Sequence, residues 1–157
     1  MKKRRLYYKV LKAFEEASTC GRVKVSSVIV KNGRIISTGW NGVPSGKKHC
    51  EDYFSESGFD VSVSYMKEEH HKFAKRNEIH AEQNSIAYAA RNGISTNGAQ
   101  LYTSWSPCTE CAKLICAAGI SRVYYLEEYD RETAGIAFLE DNGISVIQME
   151  KINEYEA

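Results

Sequence analysis

Two periods of apolar spacing run through this chain. Leu6, Val10, Leu11, Phe14 and Ala17 recur at helical intervals with charged residues between them, which predicts an amphipathic helix ended by Cys20-Gly21. From Val23 to Val30 the pattern changes to alternation. Asn32-Gly33 is a tight-turn pair, and Arg34 to Trp40 alternates again, so the segment predicts a β-hairpin. The pattern then weakens from Asn41 to Glu78. Gly42, Pro44, Ser45 and Gly46 read as loop, Val61 to Tyr65 is short for any element, and Met66 to Arg76 is charged and helical in character. Order returns at His80 to Arg91, a helix with Ala81, Ile86, Ala87 and Ala90 as packing residues and Gly93 as its stop. A strand at Gln100 to Trp105, a helix at Thr109 to Ala118, a strand at Arg122 to Leu126, a helix at Glu132 to Asp141 and a strand at Ile144 to Met149 follow. Strands separated by helices pair in parallel through crossovers. The expectation is therefore an α/β fold in three α-β-α layers around a five-stranded mixed sheet, with residues 1–157 as a single domain.

Composition narrows the classes. A chain of 157 residues with 43% hydrophobic content is long enough for a core. A net charge of +1 argues against a dedicated nucleic-acid binder. The basic opening Met1-Lys2-Lys3-Arg4-Arg5 is followed by no long apolar run, so neither a signal peptide nor a membrane partner is expected. Five cysteines, two of them in a metal-type motif, suit a reducing cytoplasm, a host's cytoplasm if a phage encodes the chain.

The chemistry concentrates between His80 and Cys111. His80-Ala81-Glu82 is followed by Pro107-Cys108-Thr109-Glu110-Cys111, the His-x-Glu and Pro-Cys-x-x-Cys signature of zinc nucleobase deaminases. His80, Cys108 and Cys111 supply three ligands and leave a fourth zinc position for water. Proline favours a first helical turn, so Ser106 is expected to cap a helix whose opening turns hold both cysteines, where the helix dipole favours thiolates. Glu82 stands beside this set without belonging to it and is the expected general acid/base for a zinc-activated water. A lone Cys-x-x-Cys also occurs in structural zinc and redox sites, but such sites have no use for an adjacent free carboxylate.

These motifs, together with Val28 to Ser37, Gly39-Trp40-Asn41-Gly42-Val43-Pro44, Asn77 to Asn84, Ser106 to Lys113 and Glu128-Tyr129-Asp130, resemble the deoxycytidylate (dCMP) deaminases of the cytidine deaminase superfamily. The resemblance reaches to about Met149 and implies zinc-dependent hydrolysis of dCMP to dUMP and ammonia, supplying thymidylate synthesis. It further implies a homohexamer, activation by dCTP with Mg2+ and inhibition by dTTP. It places Asn41 and the backbone of Ala81 and Ser106 on the substrate. Asn41 beside Gly42 is equally a turn former. Tyr129 lies just past a strand end, where ligand contacts gather in α/β sheets, as a wall for the nucleotide. Arg22, Lys24 and Arg131 are expected near the phosphate, although each is also an ordinary surface charge. Similarity to phage members implies a second, structural zinc on Cys20, Cys50, His70 and Glu78, with His49 or His71 as alternatives to Glu78. Such a metal would pin a long stretch otherwise poor in apolar pattern. Cys116, among Leu114, Ile115 and Ala117, reads as core. The motifs alone also fit a related deaminase acting on another cytosine nucleotide or nucleoside, or on tRNA adenosine. A non-catalytic zinc regulator fits less well because of Glu82.

Overall fold

The computed structural model describes residues 2–152 and is built on a five-stranded sheet in the order β2-β1-β3-β4-β5. The strands are β1 (Ser26–Lys31), β2 (Arg34–Trp40), β3 (Gln100–Trp105), β4 (Arg122–Glu127) and β5 (Ser145–Gln148). β1 pairs antiparallel with β2 and β3, while β3, β4 and β5 run parallel, which is the mixed sheet expected. Asn32 and Gly33 both take positive φ, 51° and 75°, as the two-residue hairpin requires.

Alternation along the strands builds two cores. Ile29, Leu101 and Val123 face Ile86 of α4 (Ala81–Arg91), Ala112 and Ile115 of α5 (Thr109–Ala117) and Leu139 of α6 (Ala134–Asp141). Val28, Val30, Tyr102, Tyr124 and Leu126 face Tyr7 and Leu11 of α1 (Lys2–Glu15). Helices thus cover both faces, giving the three layers.

Several expectations shift in detail. The buried face of α1 is Tyr7 and Leu11, with Val10 and Phe14 half-buried; Leu6 is 55% exposed and Ala17 lies on the solvent side. On α4 the buried positions are Ala81, Glu82, Ser85, Ile86 and Ala89, whereas Ala87 and Ala90 are exposed. Alanine packs on either face at little cost, so its spacing carries little directional information. Cys116 is half-buried against the core.

The weakly patterned stretch folds more than its pattern promised. It forms α2 (Cys50–Ser55), a short 3-10 turn at Ser64–Met66 and α3 (Lys67–Asn77). Cys50, Phe54, Val61 and Met66 make a small core of their own, with Val63 and Phe73 against it. These apolar residues meet through tertiary folding rather than along one helix or strand, which is why no period revealed them.

One close approach fixes α4 against the sheet. A Cβ at Gly39 of β2 would strike the Ala81 carbonyl oxygen and lie 2.5 Å from the Ser85 nitrogen, so only glycine lets the start of α4 sit there. Gly39→Ala is expected to cost about 1–3 kcal/mol and to displace the first turn of α4. Denaturant unfolding measures the loss, and an unchanged midpoint would contradict the packing.

Candidate active site and metal centres

Three short segments converge at one end of the sheet. Gly42 and Ile79 form a two-way backbone bridge, Gly42 N–H to Ile79 O at 3.1 Å and Ile79 N–H to Gly42 O at 2.8 Å, which lays the Asn41 loop beside the approach to His80. His80 is the N-cap of α4, and its backbone N–H donates to the Gln83 side chain at 2.9 Å. The end of β3 delivers Ser106, Pro107 and Cys108. Here the structure corrects the expected cap: Cys108, not Ser106, is the N-cap of α5, and Cys111 falls in the first turn. Ser106 is engaged elsewhere, its N–H donating to Glu127 O at 2.8 Å and its hydroxyl oxygen accepting from Tyr129 N–H at 2.7 Å.

The ligand atoms of His80, Cys108 and Cys111 lie within 4.8 Å of one another. His80 Nδ1 is 3.3 Å from Cys111 Sγ and 3.6 Å from Cys108 Sγ. The hydrogen bond from Cys111 and the neighbouring His80 draw the Cys108 thiol down to about 4. That same bond, burial and the charge of Glu82 push Cys111 up. His80 is raised to about 9, chiefly by its bond with Cys108. Two soft sulfurs and an imidazole that compete for protons in this way fit a bound zinc, which would let both sulfurs be thiolates.

Glu82 is 4% exposed, on the first turn of α4. Its Oε2 lies 3.7 Å from Cys111 Sγ, and Thr103 Oγ1 donates to its Oε1 at 3.4 Å. Burial raises its pKa, with His80 pulling the other way. A buried carboxylate beside a metal set, with a raised proton affinity, is suited to taking and returning a proton.

The second group is equally compact. Cys20, Cys50, His70 and Glu78 bring their ligand atoms within 4.8 Å of one another, while His49 and His71 stay outside the group. Cys20 Sγ is 3.3 Å from His70 Nε2, and His70 Nε2 is 3.8 Å from Glu78 Oε1. Gly21 N–H donates to Cys50 Sγ at 3.0 Å. The bond from Cys50 lowers the Cys20 thiol to about 3, and burial lifts Glu78 to about 7. Glu78 Oε1 is buried with no hydrogen-bond partner. An orphaned carboxylate oxygen among two thiols and an imidazole is the donor set a zinc ion would satisfy.

Outside these clusters the expected substrate residues divide. The Asn41 amide is already engaged, its oxygen accepting from Val25 N–H at 2.8 Å and Ser18 Oγ at 2.6 Å and its nitrogen donating to Val23 O at 2.8 Å. Ala81 opens α4, where its amide has no intrahelical acceptor. Tyr129 is half-buried near Cys108. Arg22 donates to Val61 O and Val63 O, both at 2.7 Å, and so braces the α2–α3 segment. Arg22 and Lys24 line a cavity of about 380 Å3 with Lys12, Trp105 and Glu127, on the α1 side of the sheet. Arg131 pairs with Glu68 at 3.7 Å. The structure therefore gathers the two candidate metal sets, while Arg22 and Lys24 share one cavity and Arg131 pairs separately with Glu68.

Comparison with known proteins agrees with this geometry. The family model for the cytidine and deoxycytidylate deaminase zinc-binding region matches residues 1–127. The chain belongs to this family. Within it, the deoxycytidylate deaminase of Enterobacteria phage T4 is 39% identical, the alignment covering 88% of this chain and 85% of the relative. The phage T2 enzyme of the same name is 38% identical over the same share of this chain. The dCMP deaminase of cyanophage S-TIM5, solved in complex with dCMP and dUMP, superposes with a TM-score of 0.76 at 35% identity, covering 93% of this chain and 96% of that one. As a member of this family the chain is a zinc hydrolase.

Sequence reasoning passed over two residues at the site. Thr103, at the Glu82 carboxylate, looked like an ordinary strand residue. Glu132, in the β4–α6 loop and bonded to the start of α5, gave no motif signal because its partner, Thr109, is distant in sequence.

Proposed function

We propose that this chain hydrolyses dCMP to dUMP with release of ammonia, a reaction that supplies the precursor of thymidylate. The observation that carries the reading is Glu82, buried within 3.7 Å of Cys111 Sγ and outside the ligand set. It is joined by likeness to relatives named for this substrate.

His80, Cys108 and Cys111 would hold the zinc, which when bound supplies the Lewis acidity that makes water nucleophilic near neutral pH. Glu82 accepts the proton released as water adds to C4 of the pyrimidine and returns it to N3; it then takes the proton of the new C4 hydroxyl and passes it to the amino group, which leaves as ammonia as the C4 carbonyl forms. Its burial excludes bulk water and keeps its proton affinity high enough for that shuttle. Thr103 fixes one carboxylate oxygen, leaving the other to face the reacting atoms. Ala81 and Ser106 present backbone to the pyrimidine edge, Asn41 borders the sugar and Tyr129 forms a wall. Of the three basic candidates for the phosphate, Arg22 and Arg131 are held by other groups, which leaves Lys24. Cys20, Cys50, His70 and Glu78 would hold a second zinc.

The assembly we propose is a homohexamer that dCTP with Mg2+ activates and dTTP inhibits. Tyr53, Phe59 and Tyr65, respectively 51%, 46% and 71% exposed around α2 and α3, give a surface suited to a second copy. Sigmoidal dCMP kinetics turned hyperbolic by dCTP support this regulation, and hyperbolic kinetics indifferent to both nucleotides contradict it. Incubation of the purified protein with dCMP, dCTP, cytidine and a tRNA tests the substrate: dUMP forms fastest. Faster turnover of another cytosine compound, or of tRNA adenosine, would overturn the assignment.

A further inference from the structure

Glu132 has no part in the reaction steps above, yet it is bonded to the helix that carries both catalytic-site cysteines. Its Oε1 accepts from the Thr109 backbone N–H at 2.8 Å and also from the Thr109 hydroxyl. Thr109 is the first residue of α5, directly after Cys108, and the Cys108 side chain provides no cap. The first N–H groups of a helix have no intrahelical acceptor, and here a carboxylate from the β4–α6 loop takes one of them. A second contact grips the same peptide. A Cβ on Gly135, near the start of α6, would collide with the Pro107 carbonyl oxygen and lie 2.8 Å from the Cys108 carbonyl carbon. The loop is tied to the site again through Tyr129 N–H and Ser106 Oγ at 2.7 Å.

We propose that Glu132 is a positioning residue. It sets the height and direction of Cys108 and Cys111 over His80, and it holds the Tyr129 loop against the substrate side of the same centre. The inference rests on His80, Cys108 and Cys111 being the catalytic zinc ligands. Partners that orient metal ligands change metal affinity or activity by about 10–100-fold when removed. Glu132 acts on both at once, because one carboxylate joins the ligand helix to the loop.

The test is the cadmium NMR spectrum of the metal-substituted full chain, with release of zinc to a chelator and the separate values of kcat and KM. The resonance that disappears in His80→Ala identifies the catalytic centre. If no resonance depends on His80, the ligand reading itself fails, independently of Glu132. In Glu132→Ala that resonance is expected to shift, zinc to leave about 10–100-fold faster, and kcat to fall with KM rising. In Glu132→Gln, whose amide oxygen can accept the same two bonds, the resonance and release rate are expected near those of the parent. Glu110→Ala, exposed in the same first turn and paired with Lys113, controls for helix-terminal charge and is expected to change neither. An unmoved resonance in Glu132→Ala would overturn the proposal, as would a shift as large in Glu132→Gln or in Glu110→Ala. Should the alanine chain fail to fold, Thr109→Val carries the test by removing the hydroxyl bond alone. A smaller shift in the same direction supports the proposal, and an unchanged spectrum overturns it.

Discussion

Glu82→Gln is expected to keep the fold and the catalytic zinc while losing turnover by about a hundred- to ten-thousand-fold, the usual worth of a general acid/base. Glutamine fills the same volume, so the buried pocket stays packed. Its amide oxygen can still accept from Thr103 as the carboxylate does at 3.4 Å. What it lacks is the ability to take a proton from water and return it to the ring. The loss should therefore fall on kcat, with KM changed far less. Zinc analysis and circular dichroism on the same sample separate this from unfolding. Near-normal turnover in a folded, zinc-loaded variant would sink the mechanism. His80→Ala should behave differently, since it removes a ligand and lowers zinc occupancy itself.

Cys50→Ser is expected to have the largest effect on stability. Cys20 follows α1, Cys50 begins α2, His70 lies in α3 and Glu78 precedes His80 by two residues, so one ion would join four segments. Without it, the small core of Phe54, Val61 and Met66 must hold α2 and α3 with few other anchors. Arg22, bonded to the Val61 and Val63 carbonyls, is one of them. Zinc content should fall by about one per chain, because serine is a poor zinc ligand at neutral pH. Losing a structural metal belongs with the largest single-residue effects, about 4 kcal/mol or more, which is roughly 8–16 °C in Tm for a chain of this size. Activity should fall as well, because Glu78 fixes the backbone leading to His80. Equal zinc content and equal Tm in the parent and the variant would refute the structural site and leave Cys20 and Cys50 as ordinary thiols.

Where a pattern is local, this sequence is easy to read. The Asn32-Gly33 hairpin, the parallel second half of the sheet and the His80–Cys111 motifs all follow from neighbours in the chain or from fixed spacings. The limits show at residues whose partners are remote. Pro107 suggested a helix start two residues too early, because Ser106 is engaged by the Glu127 carbonyl and the Tyr129 N–H, which leaves Cys108 as the N-cap. Arg22 carries a charge suited to phosphate, yet it serves two carbonyls about forty residues away in sequence, a pairing no spacing rule contains. Asn41 shows the same ambiguity from the other side. Its amide is bonded to Ser18, Val23 and Val25, and Gly42 beside it forms a bridge to Ile79 rather than a turn, which brings the Asn41 loop to His80. The second metal set was legible only through resemblance. Cys20, Cys50, His70 and Glu78 have no motif spacing, and only the fold brings them within 4.8 Å.

The most direct test is diffraction at the zinc absorption edge from crystals soaked with dCMP. An anomalous peak is expected among His80 Nδ1, Cys108 Sγ and Cys111 Sγ, with the pyrimidine seated so that C4 lies between that peak and the Glu82 carboxylate. A nucleotide bound away from Glu82, or the absence of a peak at those three atoms, would contradict the account.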